Sequence, residues 1–165
     1  MSADTARAKA ARSLTVRSAP TSAGAVDLGP LDGFVGYRLR RAQLAVLAGF
    51  EFALRETGLS PGQLSVLLVI SCNPGMTQSE VCAALGIRRA NFTPLLHELE
   101  ARGLAIREVL PADRRSNTLR MTPLGRDVLS RALALHERLE RRITNSLGAA
   151  GRSQLLHLLR KLESV

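Results

Sequence analysis

The chain has 165 residues, 45% of them hydrophobic but only 3% aromatic and none of them tryptophan, so its core must be aliphatic, a composition that favours helices. A formal net charge of +9 points to a polyanionic partner, either nucleic acid or an anionic membrane surface. Two cysteines, Cys72 and Cys82, are too few for a disulfide framework and have no metal-ligand spacing around them, and no run of 18 apolar residues suggests a membrane span.

The cations are almost all arginine, with Lys9 and Lys161 the only lysines. Coding bias explains arginine over lysine but not the surplus of cations over anions. Residues 1–30 are rich in Ala, Ser, Thr, Gly and Arg and poor in large apolar residues, which reads as a disordered tail. Arg7, Lys9 and Arg12 are not followed by an apolar stretch, so no secretory signal is expected and the cytoplasm is the default compartment.

The folded part is expected to begin near Leu31. Residues 31–57 form a helix crowded with Leu39, Leu44, Val46, Leu47, Phe50 and Leu54, and Gly58 stops it. Apolar residues on more than one face predict burial on more than one side, which for a helix near a chain end implies a second subunit. Ser60, Pro61 and Gln63 open the next helix with a capping box and a proline at its first position. Asn73-Pro74-Gly75 closes it. Thr77 and Glu80 form a second capping box for a short helix to about Leu85, and Gly86 turns the chain into a third helix, from about Arg88 to Arg102.

After Gly103 the period changes. Residues 104–109 and 117–121 read as antiparallel strands around a polar loop, 111–116. Thr122 and Pro123 cap a long helix with one apolar stripe through Leu124, Val128, Leu129, Ala132, Leu135, Leu139 and Ile143. Residues 148–151 break it before a last amphipathic helix. The predicted fold class is mainly α with a small β-hairpin wing: a winged helix-turn-helix flanked by N- and C-terminal dimerisation helices. The DNA-binding lobe is expected at about 60–123, and the dimerisation helices at about 31–57 and 124–163.

Two short helices joined by a glycine turn, with arginines opening the second, match helix-turn-helix geometry. Phe92, Leu95 and Leu99 should face inward. Arg88, Arg89, Asn91, Thr93 and His97 should face outward, where Arg and Asn can read guanine and adenine edges in a major groove. Neither Ile87 nor Arg88 is a good N-cap, which leaves the first N–H groups for a phosphate. At the hairpin tip Arg114 and Arg115 can reach a minor groove, and Asp113 is expected to organise the loop through Arg115 or a loop N–H.

The run from Asp113 through Arg115, Leu119, Met121 and Thr122 to Gly125 resembles the wing signature of the MarR family of regulators. Leu99-Glu100-Ala101-Arg102-Gly103-Leu104 resembles the end of that family's recognition helix. The likeness spans about 31–165. It implies a two-fold homodimer on a palindromic double-stranded DNA operator, with a small-molecule pocket and repression relieved by the effector. Arg88 and Pro94 depart from the family pattern, where a capping Asp or Ser and an exposed polar residue are common.

A second charged stretch holds Tyr37, Arg38, Arg40 and Arg41. These arginines can pair with glutamates or DNA phosphates, or they can form an anion site. Residues 37–43 together with 89–94 are similar to MarR-type repressors that respond to aromatic acyl-coenzyme A thioesters. The resemblance would make Arg38 and Arg40 holders of the CoA phosphates. Two rival readings remain, a redox sensor built on Cys72 or Cys82 and a winged-helix protein–protein adaptor. No enzyme activity, metal or cofactor is expected: His97, His136 and His157 fall on three separate helices, with no triad, paired-carboxylate or phosphate-loop pattern.

Overall fold

A computed structural model describes residues 26–110 and 113–164, with the side chains of 109, 110 and 113–117 excepted. The expected tail therefore lies, up to residue 25, outside the described residues. The chain divides into a unit ending at Arg38 and a second beginning at Leu39.

In the first unit, a 3₁₀ turn over Gly29–Gly33 begins on Asp27, whose Oδ1 accepts from the Gly29 N–H at 2.9 Å. Arg38 donates through Nε to the Asp32 carbonyl at 2.8 Å and through Nη2 to the Asp32 carboxylate.

Helix α1 spans Val35–Leu54 and ends in a 3₁₀ turn, Arg55–Thr57, closed by Gly58 at φ 61°. The second unit continues with α2 (Pro61–Cys72), α3 (Gln78–Leu85), α4 (Arg89–Ala101), strands β1 (Ala105–Leu110) and β2 (Asp113–Met121), and α5 (Pro123–Leu162). Both predicted capping boxes are present. Gln63 N–H donates to Ser60 Oγ at 3.3 Å while Ser60 N–H donates to Gln63 Oε1 at 2.9 Å, and Thr77 and Glu80 repeat the exchange. Such a cap stabilises each helix start by about 1 kcal/mol.

Helix α2 runs through the centre of the core. Leu64, Val66, Leu67 and Ile70 are buried among Phe50 and Leu54 of α1, Val81 of α3, Phe92, Leu96 and Leu99 of α4, Leu119 of β2, and Val128, Leu129 and Ala132 of α5. Full burial of each large aliphatic or phenyl group stabilises the fold by roughly 1.5–3 kcal/mol. Helix α1 behaves differently. Phe50 and Leu54 enter the core, but Leu39, Leu44, Val46 and Phe52 stand 44–68% exposed. The expected burial on several sides is therefore absent within one protomer, because only two of its large apolar residues face the core.

One element boundary differs from the sequence pattern. Strand β2 begins at Asp113, within the expected loop, and its register steps between Val109 and Leu110. Arg114, Arg115 and Ser116 thus fall between the paired positions Asp113 and Asn117. The break expected at 148–151 is present: Gly148 (φ 71°, ψ 162°) is non-helical and divides α5 into two helical stretches. That conformation favours glycine, so the chain kinks there and resumes the helix at once.

The start of α5 is fixed by a close backbone crossing. Thr122 N–H donates to the Leu104 carbonyl at 3.1 Å, and Thr122 Oγ1 caps α5 through the Gly125 N–H at 2.9 Å. A Cβ at Gly125 would stand 2.1 Å from Leu104 O and 2.8 Å from Met121 Cγ. Since backbone rather than a flexible side chain occupies that space, Gly125→Ala is expected to destabilise the protein by about 3 kcal/mol, read as a lowered urea midpoint with an unchanged slope.

Candidate nucleic-acid interface

Helix α3, the left-handed turn at Gly86 (φ 62°) and helix α4 form a helix-turn-helix. The turn is tight because the Gly86 N–H bonds Ala83 O at 3.2 Å and the Ile87 N–H bonds Cys82 O at 3.0 Å. Phe92, Leu96 and Leu99 turn the inner face of α4 into the core. Leu96, not Leu95, is the buried member of the middle turn; Leu95 is half-buried and packs on Gly62, where a Cβ would lie 2.9 Å from its Cδ1.

The residues expected to read DNA, Arg88, Arg89, Asn91, Thr93 and His97, are all exposed at the head and along the outer side of α4. Arg88 is the N-cap residue and makes no side-chain cap. Arg89 Nη1 donates to Ser79 Oγ of α3 at 3.4 Å, which steadies its guanidinium across the turn. Thr93 Oγ1 donates to the Arg89 carbonyl at 2.9 Å. Ala90 and Pro94 are exposed on the same side. The sequence pattern marked Pro94 only as a departure from the family and gave Ala90 no DNA role, although small apolar groups suit contact with a thymine methyl.

The wing is attached to this unit by backbone. Leu119 N–H donates to Met76 O at 2.8 Å, Gly75 N–H donates to Leu119 O at 3.3 Å, and Thr77 bridges Thr118. The segment leading into α3 therefore runs beside β2 like a third strand, an attachment that no sequence motif announced. The side chains of Asp113, Arg114 and Arg115 lie outside the described residues, so the proposed role of Asp113 has no contact to set beside it.

The residues of the second charged stretch lie on another element, α1. Tyr37 is half-buried, while Arg38, Arg40 and Arg41 are exposed. Arg38 already has an anionic partner in Asp32. Cys72 is exposed and Cys82 buried. Among the described residues, no helix is long and apolar enough to cross a membrane.

A glycine-turned helix pair stitched to a two-stranded wing defines a winged helix-turn-helix DNA-binding domain. The MarR family model matches residues 57–116. A transcriptional regulatory protein for the hcr operon of Thauera aromatica is 34% identical over 149 residues, covering 88% of this chain and 90% of that protein. The transcriptional repressor CouR, solved bound to a 23-mer DNA duplex, is 42% identical with a TM-score of 0.81, covering 84% of this chain and 99% of that one. The same repressor bound to p-coumaroyl-CoA is 40% identical with a TM-score of 0.79, covering 84% and 98%. The chain belongs to the MarR family. It is a DNA-binding transcription regulator.

The Thr77–Glu80 cap sits at the entry to the helix-turn-helix and is sensitive to pH. Hydrogen bonds from the Thr77 backbone and hydroxyl hold the Glu80 carboxyl below its ordinary pKa. A folded-state pKa below the unfolded one means the stabilisation is fully present above the unfolded value and is lost as pH falls through the folded one. Glu80→Gln keeps an acceptor but cannot titrate. Its urea midpoint is therefore expected to approach that of the wild type as pH drops below about 4.3, and an unchanged gap between pH 7 and pH 3 would contradict this.

Proposed function

We propose that this regulator is a cytoplasmic homodimeric repressor that leaves a palindromic operator when an aromatic acyl-CoA thioester binds. The observation that carries this reading is the likeness, at about 40% identity over 84% of this chain, to one repressor solved both on a DNA duplex and with p-coumaroyl-CoA. The DNA-binding lobe is 60–123, with Arg88, Arg89, Asn91, Thr93 and His97 reading base edges and Asp113, Arg114 and Arg115 serving the wing. Helices at 31–57 and 124–163 hold the dimer, where the exposed Leu39, Leu44, Val46 and Phe52 find a partner surface.

Tyr37, Arg38, Arg40 and Arg41 form the effector site. An acyl-CoA combines phosphates, which guanidinium forks hold by paired charge-assisted hydrogen bonds, with an aromatic acyl group that avoids water. Asp32 fits this arrangement by presetting the Arg38 fork, whose charge a phosphate then shares or takes over. Control of DNA affinity by binding alone requires no catalytic group, and we assign none.

The test is duplex binding measured across a salt series, with and without p-coumaroyl-CoA. Affinity should fall steeply with salt, p-coumaroyl-CoA should release the duplex, and free CoA or p-coumarate should not at equal concentration. Arg89→Ala should lower affinity for the preferred duplex by about 1–3 kcal/mol. Arg38→Ala should weaken the response to p-coumaroyl-CoA and leave DNA affinity alone. A wild type that keeps its duplex at saturating p-coumaroyl-CoA would remove the effector from this reading.

A further inference from the structure

Arg102 stands at the C-cap of α4, with its side chain turned back on the end of α1. Its Nη1 donates to Gly58 O at 2.7 Å and its Nη2 to Thr57 O at 2.7 Å, across more than forty residues of sequence. These carbonyls belong to the 3₁₀ turn that finishes α1 and to the left-handed glycine after it. The C-terminal end of the α1 turn, which carries partial negative charge, thus lies on this guanidinium. A lysine would bring its donors on a single nitrogen, whereas the planar fork gives each carbonyl its own nitrogen in fixed geometry.

Two further contacts on the same side of α4 give the clamp a direction. Glu98, one turn before Arg102, accepts from Gln63 Nε2 at 2.5 Å, and Gln63 is the buried third residue of the α2 cap. Leu95, one turn earlier, packs on Gly62, its Cδ1 2.9 Å from where a Cβ would stand. Leu95, Glu98 and Arg102 therefore form one row along α4, and the whole row lies on residues 57–63, the joint between α1 and α2. The outer face of α4 is set by what this row grips.

We infer that Arg102 is a positioning residue for DNA reading: it fixes the angle of the recognition helix against the α1–α2 joint and passes any shift at the end of α1 on to α4. The first half of this inference stands on DNA binding alone. The second half rests on the effector reading proposed above.

The experiment uses the full-length dimer as wild type, Arg102→Ala, Arg102→Lys and, as a control, Arg107→Ala, which breaks the exposed Arg107–Glu100 pair that also reaches α4. Each is titrated by fluorescence anisotropy against a duplex selected by the wild type from a randomised library, and against a random duplex of equal length, over a salt series. Arg102→Ala is expected to lose roughly ten-fold in preference for the selected duplex, and Arg107→Ala to lose none. Random-duplex affinity and salt slope should stay at the wild-type level. The preference is a ratio, so a smaller folded fraction cancels from it, and Arg102→Lys provides a second reading if the alanine variant folds poorly. An unchanged preference overturns the proposal. So does a salt slope reduced by about 1, which would make Arg102 a phosphate contact. A wild type without preference overturns the α4 reading and the proposal together.

In the second arm, calorimetry should show p-coumaroyl-CoA binding Arg102→Ala as tightly as wild type while weakening its duplex binding several-fold less. An equal response in both proteins overturns the coupling. A wild type indifferent to p-coumaroyl-CoA defeats the effector reading instead, and the clamp is then judged on the preference ratio alone.

Discussion

The peptide of Leu104 is where the parts of this domain meet. Its N–H closes α4 on the Leu99 carbonyl at 2.8 Å, and its C=O accepts from Thr122, the residue that caps α5. Gly125 lies over it without room for a methyl group. The recognition helix ends, the hairpin begins and ends, and the long helix starts within one backbone crossing. The orientation of α4, wing and α5 is tied by hydrogen bonds and by the absence of a side chain as well as by the core they share.

The net charge of the chain says less than the placement of its arginines. Several are committed to neighbours: Arg38 to Asp32, Arg107 to Glu100, Arg120 to Glu108 and Arg152 to Glu140. These exposed pairs contribute little stability each, but they remove those cations from the group available to a polyanion. Arg88 and Arg89 stand exposed at the head of α4, where a helix N-terminus already favours negative charge. The proposed DNA contact at this helix start thus rests on placement and not on the total charge.

Local chemistry was legible in the sequence, and distant contacts were not. Ser60–Gln63 and Thr77–Glu80 were readable as caps because every group lies within three residues of its partner. The outward set on α4 followed from helical spacing. Leu96 was missed because the inner face of a short helix is wide enough for two phase choices. The exposed apolar side of α1 was expected to be covered by a second subunit, and within one chain Leu39, Leu44, Val46 and Phe52 are indeed left uncovered. The start of β2 at Asp113 was hidden by three polar residues that read as loop. The Arg102 clamp had no signal at all, because Thr57 and Gly58 take part through their carbonyls, which any residue would supply.

Thr93 carries a consequence for the chemistry of the recognition helix. Its hydroxyl proton is directed back to the Arg89 carbonyl, so toward a groove it presents lone pairs only. The arginines one turn earlier present N–H groups only. Along its exposed side α4 thus offers donors at its head and an acceptor at Thr93, with the two-way amide of Asn91 between them. Under the proposed base reading, such an order suits a duplex step in which the ring nitrogen and carbonyl of guanine precede an exocyclic amino group, as on cytosine or adenine.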